Sequence, residues 1–212
     1  MAPPATAIVF VHGLWLTGVE STLLRRRLAT ELQCSTHYFH YRSITAKPAD
    51  ILLQLREFLR ALPERTVHLV GHSLGGVVVL RLLETSPDLR PGRAVLLGAP
   101  LCGSKAAQGL ARWPIGAAML GRAIEAEVLN HAPRSWDGRR DLGIIAGDNS
   151  VGLGKLVATL DEPNDGAICV AETQLPGVTD HIIVKTSHTG MLFSHEVVRQ
   201  TASFLSSGKF AR

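Results

Sequence analysis

The chain has few cysteines, few aromatics and few charges, and each shortage closes a class of explanation. Three cysteines in 212 residues, Cys34, Cys102 and Cys169, are an odd number without CxxC spacing, so neither a disulfide framework nor a zinc cage is expected. That usage fits a reducing compartment. No apolar run approaches the ~18 residues of a membrane span, and the opening MAPPATAIVFVHG lacks the positive n-region of a secretory leader. A cytoplasmic protein is the expectation. No HExxH or other metal-ligand spacing occurs, so no metal and no cofactor are expected. Gly152-Leu153-Gly154-Lys155 superficially suggests a phosphate loop, but Asn149 stands where that pattern needs glycine and Leu156 where it needs Ser or Thr. Charge is also thin: 22 Lys+Arg against 18 Asp+Glu leaves +4. Arginines run together only at Arg25-Arg26-Arg27 and Arg139-Arg140, with no aromatics between them, so nucleic acid is not the expected partner. With aromatics at 5%, the core must be mostly aliphatic.

What is present is apolar and rhythmic. Hydrophobic residues at 46% exclude a disordered chain, and 20 glycines suit many tight strand-to-helix turns. Continuous apolar or β-branched runs predict strands at 7–11, 36–41, 66–70, 93–97, 141–146 and 181–186. Helical periodicity predicts helices at 19–32, 49–62, 74–84 and 190–205. Strands alternating with helices imply a three-layer αβα sandwich around a six-stranded, mostly parallel sheet. The rhythm breaks once. Residues 101–140 are too many for a crossover of ~10–15 residues and read as a helical insert over the carboxyl edge of the sheet, within one domain spanning 1–212.

Three motifs sit where chemistry would need them. Gly71-His72-Ser73-Leu74-Gly75 is a GxSxG pentapeptide between a predicted strand and a predicted helix. A sharp turn there lifts a serine hydroxyl above the sheet, and the helix start aims free N–H groups at developing negative charge. Val11-His12-Gly13-Leu14-Trp15 follows the first strand. An acyl-transfer site needs two N–H donors on the carbonyl oxygen, and Leu14 and Leu74 are the candidates. Thr186-Ser187-His188-Thr189-Gly190 follows the last strand, and of nine histidines only His188 lies in the right loop for a base. The acid that orients such a base belongs in the loop after the fifth strand. Asp165, in the turn Asn164-Asp165-Gly166, is favoured there; Asp148 is the runner-up, and Asp161 is also in range.

Together, VHGLW at 11–15, GHSLGG at 71–76, GAPLCGS at 98–104, NDGAI at 164–168 and SHTGMLFS at 187–194 resemble the α/β-hydrolase superfamily, and within it the small bacterial lipases and esterases. The resemblance covers nearly the whole chain. It implies an α/β-hydrolase fold, with Ser73 the nucleophile, Asp165 the acid, His188 the base, and Leu14 and Leu74 the oxyanion donors. Family members often carry two strands before the one counted first here. The implied activity is hydrolysis of a carboxylic ester. Acyl transfer or thioester hydrolysis on the same fold are the alternatives, and a non-catalytic ligand-binding protein is another. The implied partner is a small-molecule or lipid ester, with at most transient contact at a membrane surface. Trp15, Trp113, Met119 and Met191 are the candidate substrate contacts, and the insert is a candidate lid. The oligomeric state is not legible in the sequence.

Overall fold

The structure, a computed structural model, describes residues 5–113, 120, 121, 128, 135–150 and 163–212. In chain order these form β1 (Thr6–Val11), a 3₁₀ turn (Val19–Ser21), α1 (Thr22–Leu32), β2 (Ser35–Phe39), α2 (Pro48–Ala61), β3 (Thr66–His72), α3 (Leu74–Thr85), β4 (Ala94–Leu97), α4 (Lys105–Ala111), β5 (Leu142–Gly147), a 3₁₀ turn (Val170–Thr173), β6 (Asp180–Val184), a 3₁₀ turn (Thr189–Leu192) and α5 (His195–Ser207). The six strands make one sheet in the order β2-β1-β3-β4-β5-β6, and every pairing is parallel.

Alternation along the strands sorts their side chains onto two faces. Val9, Val11, Val67, Leu69, Leu96 and Ile144 face one way, against Ile51, Leu55 and Leu59 of α2 and the valines and leucines of α3. Ile8, Phe10, Val70, Val95, Leu97 and Ile145 face the other way, against Leu24 and Leu28 of α1 and Val197, Phe204 and Leu205 of α5. This is the αβα sandwich that the sequence implies. α3 is buried nearly all round, including Val77, Val78 and Val79. Three successive β-branched residues are poor helix formers, so burial rather than propensity holds this helix.

Several boundaries shift for local reasons. β3 runs two residues past its predicted end, because His72 still pairs with Leu97. β6 stops two residues early, because the Thr186 N–H turns back to the Val184 carbonyl at 2.7 Å. The closing helix does not start at Gly190. Residues 189–192 form a 3₁₀ turn, and Ser194 restarts the chain as an N-cap whose Oγ accepts from the Val197 N–H at 3.3 Å. Within the helix predicted at 19–32, Leu24 and Leu28 are buried, whereas Val19 and Leu23 are exposed. Of the insert expected over 101–140, α4 is described, and Leu120 and Val128 are buried; residues 114–119, 122–127 and 129–134 lie outside the described residues.

Candidate active site

The strand order reverses direction between β1 and β3. From β1 the chain goes outward to β2, then crosses back to β3 and continues to β6. The loops after β1 and β3 therefore leave toward opposite faces at the carboxyl edge, the position at which open parallel sheets bind ligands. Both the 71–75 and 11–15 motifs sit there, since Val11 pairs with Gly71.

Ser73 links β3 to α3. Its φ of 55° and ψ of −124° are a backbone state that side chains rarely adopt. Two bonds hold it: the Ser73 N–H donates to the Leu97 carbonyl at 2.9 Å, and its own carbonyl accepts from the Gly76 N–H at 2.9 Å. Leu74, the first helical residue, has no intrahelical acceptor for its N–H. Gly75 is required by proximity, since a Cβ there would stand 2.1 Å from the Val11 carbonyl oxygen. Only glycine lets α3 press so closely against the end of β1.

The loop after β1 is pinned on both sides of Leu14. His12 Nδ1 donates to the Gly13 carbonyl at 2.8 Å, while Nε2 accepts from the Tyr41 N–H at 3.2 Å. This bonding fixes one neutral tautomer, and burial pushes the imidazole below its ordinary pKa. The Tyr41 ring stacks on His12 at 4.3 Å, and its hydroxyl donates to the His12 carbonyl at 2.8 Å; burial pushes that hydroxyl upward, so it stays a donor. Beyond Leu14, Trp15 has φ 60° and donates its N–H to Ser43 Oγ at 3.2 Å.

Asp165 is 1% exposed. The turn that carries it is closed by a bridge between Asn164 and Cys169. Asp165 Oδ1 accepts from the N–H groups of Ala167 at 2.9 Å and Ile168 at 2.7 Å. Its other oxygen, Oδ2, is left for His188 Nδ1 at 2.7 Å. A second bond runs alongside, from the His188 N–H to the Asp165 carbonyl at 2.8 Å. Asp148 is exposed and, among the described residues, pairs with no histidine. Among the described residues, the histidine–carboxylate pairs are His188–Asp165 and His37–Glu64. Asp161 lies outside the described residues.

His72, next to Ser73, reaches His188 from below. Its Nε2 donates to the His188 carbonyl at 3.0 Å, and the two rings lie 4.7 Å apart. Burial pushes His72 down to about 3, with the neighbouring His188 adding to the effect. Gly98, with φ 54°, lies against the pair: a Cβ there would meet Asp165 Oδ2 at 3.0 Å and His188 Nδ1 at 3.1 Å. Met191 is fully buried, and its methyl group approaches the same point; it packs behind the pair and away from open space. Trp15 and Trp113 are exposed, at 49% and 68%. Met119 lies outside the described residues.

Tyr41 and Gly98 adjoin the candidate site although neither is among the motif residues assigned a role. Gly98 stands in the GAP that follows β4. Nothing in the sequence paired Tyr41 with His12, which are 29 positions apart. Among the described residues, no group of three His, Cys, Asp or Glu side chains is placed to hold a metal ion, and no helix is long and apolar enough to cross a membrane.

Comparison with known proteins adds to this geometry. A family model described as "Alpha/beta hydrolase family" matches residues 8–165. The structure is similar to that of lipase BlEst2 of Bacillus licheniformis in mature form, with TM-score 0.71, 20% identity, 99% of this chain covered and 93% of that chain. It is also similar to a metagenomic carboxyl esterase, MGS0156, with TM-score 0.63, 20% identity, 89% of this chain and 66% of that one. A third likeness is to the carboxylesterase CesB of Bacillus subtilis, with TM-score 0.58, 17% identity, 99% of this chain and 85% of that one. No curated protein matches in sequence.

Proposed function

The chain belongs to the alpha/beta hydrolase family, and from that premise we propose that it cleaves carboxylic esters through an acyl-enzyme on Ser73. One observation carries the reading: the Asp165–His188 pair, at 2.7 Å, stands beside the turn that presents Ser73, with His72 bonded to His188 from the residue before it.

In this reading His188 Nε2 takes the proton of Ser73 Oγ as that oxygen attacks the ester carbonyl. Asp165 holds the imidazole through Nδ1 and stabilises the imidazolium. Charge on the carbonyl oxygen falls to the N–H groups of Leu14 and Leu74, both backbone donors that need no rearrangement. The oxyanion collapses, His188 returns the proton to the leaving alcohol, and the acyl group stays on Ser73. Water, deprotonated by His188, then releases the acid and restores the serine.

Exposed apolar groups at the carboxyl edge suit an apolar acyl group. Trp15 and Ile44, both in loops at the carboxyl edge, are exposed, and aromatic and aliphatic rims are what apolar substrates favour. Small-molecule or lipid esters are therefore the proposed substrate class. Ser73→Ala tests the reading: it should abolish hydrolysis of a chromogenic short-chain ester and block labelling by a fluorophosphonate. Wild-type turnover in that variant would overturn the assignment.

A further inference from the structure

We propose that Glu172 is a positioning residue that ties the loop carrying Asp165 to the root of α4, so that the acid and the start of α4 are held as one piece. The kinetic part of this proposal rests on the serine-hydrolase reading; the geometric part does not.

Glu172 is 6% exposed, and both carboxylate oxygens are used. Oε2 accepts from the Cys169 N–H at 2.8 Å, and Oε1 accepts from the N–H of Lys105, the first residue of α4. Its main-chain carbonyl accepts twice more, from Leu101 at 2.8 Å and Cys102 at 3.0 Å. One residue thus receives four N–H groups, three of them from the segment that leaves β4 to begin the insert.

The other end of this connection is the acid. Cys169 is bridged to Asn164, so the 164–169 turn is gripped from outside by the Glu172 carboxylate and from inside by Asp165 Oδ1. Asp165 then holds His188 through both side chain and main chain. Hydrogen bonds, joined by the peptide link between Ile168 and Cys169, connect the N-terminus of α4 to the imidazole.

A carboxylate suits this position better than an amide. Two N–H donors converge on it, and an amide would turn its own NH₂ toward one of them. Burial pushes the Glu172 carboxyl above its ordinary range, the N–H groups of Lys105 and Cys169 pull it back, and the charge of Asp165 adds to the rise. Ionising this carboxyl is therefore harder in the folded chain than in the unfolded one, so stability falls as pH rises through its titration.

Glu172→Gln and the pair Lys105→Pro and Lys105→Ala form the test. Proline suits Lys105, because the first helical position tolerates it and Ser104 before it is extended at φ −148°, ψ 116°. It removes the N–H bonded to Glu172, whereas alanine keeps that N–H. Two quantities are read: the downfield proton resonance between His188 Nδ1 and Asp165, and the rate at which a fluorophosphonate labels Ser73. In Glu172→Gln the resonance should shift or broaden, and labelling should slow by about 10- to 100-fold with KM for a small ester little changed. Lys105→Pro should reproduce part of both effects and exceed Lys105→Ala, which loses the ammonium charge near the carboxylate but keeps the N–H. A wild-type resonance and labelling rate in Glu172→Gln, or equal effects in the two Lys105 variants, would overturn the proposal. If Glu172→Gln does not fold, the Lys105 pair decides. If the wild-type protein is never labelled, the serine-hydrolase reading fails, and the resonance still decides the role of Glu172.

Discussion

His72 donates from Nε2 to the main-chain carbonyl of His188 at 3.0 Å, so the residue before Ser73 holds the backbone of the proposed base. Its Nδ1 is buried with no hydrogen-bond partner among the described residues. Protonating that atom would place a second positive charge beside the His188 ring without a partner, which is why burial pushes His72 down to about 3. His72 is therefore neutral beside His188 at neutral pH. His72→Phe keeps the ring and deletes the donor. It should lower kcat/KM on a chromogenic ester about tenfold, the worth of one hydrogen bond of ~1.4 kcal/mol, and His72→Gln should recover part of the loss. Wild-type kcat/KM in His72→Phe would show that the bond is idle.

The two acids separate by substitution. Asp165→Asn should lower kcat by about 10⁴, because an amide at Oδ2 holds the wrong imidazole tautomer. Asp148→Asn, at an exposed position, should leave kcat at the wild-type level. The reverse outcome would transfer the acid's role to Asp148.

Ser73 sits at φ 55°, where a side chain carries strain of about 1–3 kcal/mol. Ser73→Gly removes that strain and adds back some unfolded-chain entropy. It should abolish ester hydrolysis while raising unfolding free energy by about 1 kcal/mol, read from urea denaturation. A less stable Ser73→Gly variant would mean that the turn is relaxed as it stands.

At the opposite edge of the sheet, His68 is buried in β3, and its Nδ1 accepts from the Arg93 N–H at 2.9 Å. Burial, with the charges of Arg93 and Arg140 beside it, pushes it down to about 4. A depressed histidine is neutral in the folded state while the unfolded chain takes up its proton. Stability is therefore present above pH 6.5 and is lost as pH falls from there toward 4. His68→Asn keeps an acceptor for Arg93 without a titrating group. Between pH 7 and 4.5 it should lose less unfolding free energy than the wild type, by on the order of 2 kcal/mol. Parallel losses in both proteins would place the acid sensitivity elsewhere.

The sheet was legible because its inner strands β1, β4 and β5 are almost wholly apolar runs, and most strands alternate with helices, a local signal that repeats. The GxSxG turn was legible for a related reason: Ser73 and Leu74 are neighbours in the chain as well as in space, and so are Asn164, Asp165 and Gly166. Contacts at long range were not. Tyr41 on His12, Gly98 against the acid–base pair, and Glu172 on Lys105 each join segments that share no pattern. The closing helix was misjudged because Thr189–Leu192 carries the apolar spacing of a helix, while Ser194 imposes a fresh N-cap. Val19 and Leu23 keep helical spacing yet face solvent, since spacing says which residues share a face and not what that face meets.

The turn around Asp165 also bears on the order in which the chain folds. Its bridge, its two N–H bonds to Oδ1 and the Asp165 N–H to the Ile168 carbonyl at 3.1 Å all fall between residues 164 and 169. Closing so short a loop loses little chain entropy, whereas the bond from His72 to His188 closes a loop 116 residues apart. The carboxylate is aimed by bonds within its own turn, whereas the histidine that it pairs with lies 23 positions further on, beyond β6. Fluctuations that release β6 from the sheet edge would therefore separate His188 from Ser73 and leave the Asp165 turn closed.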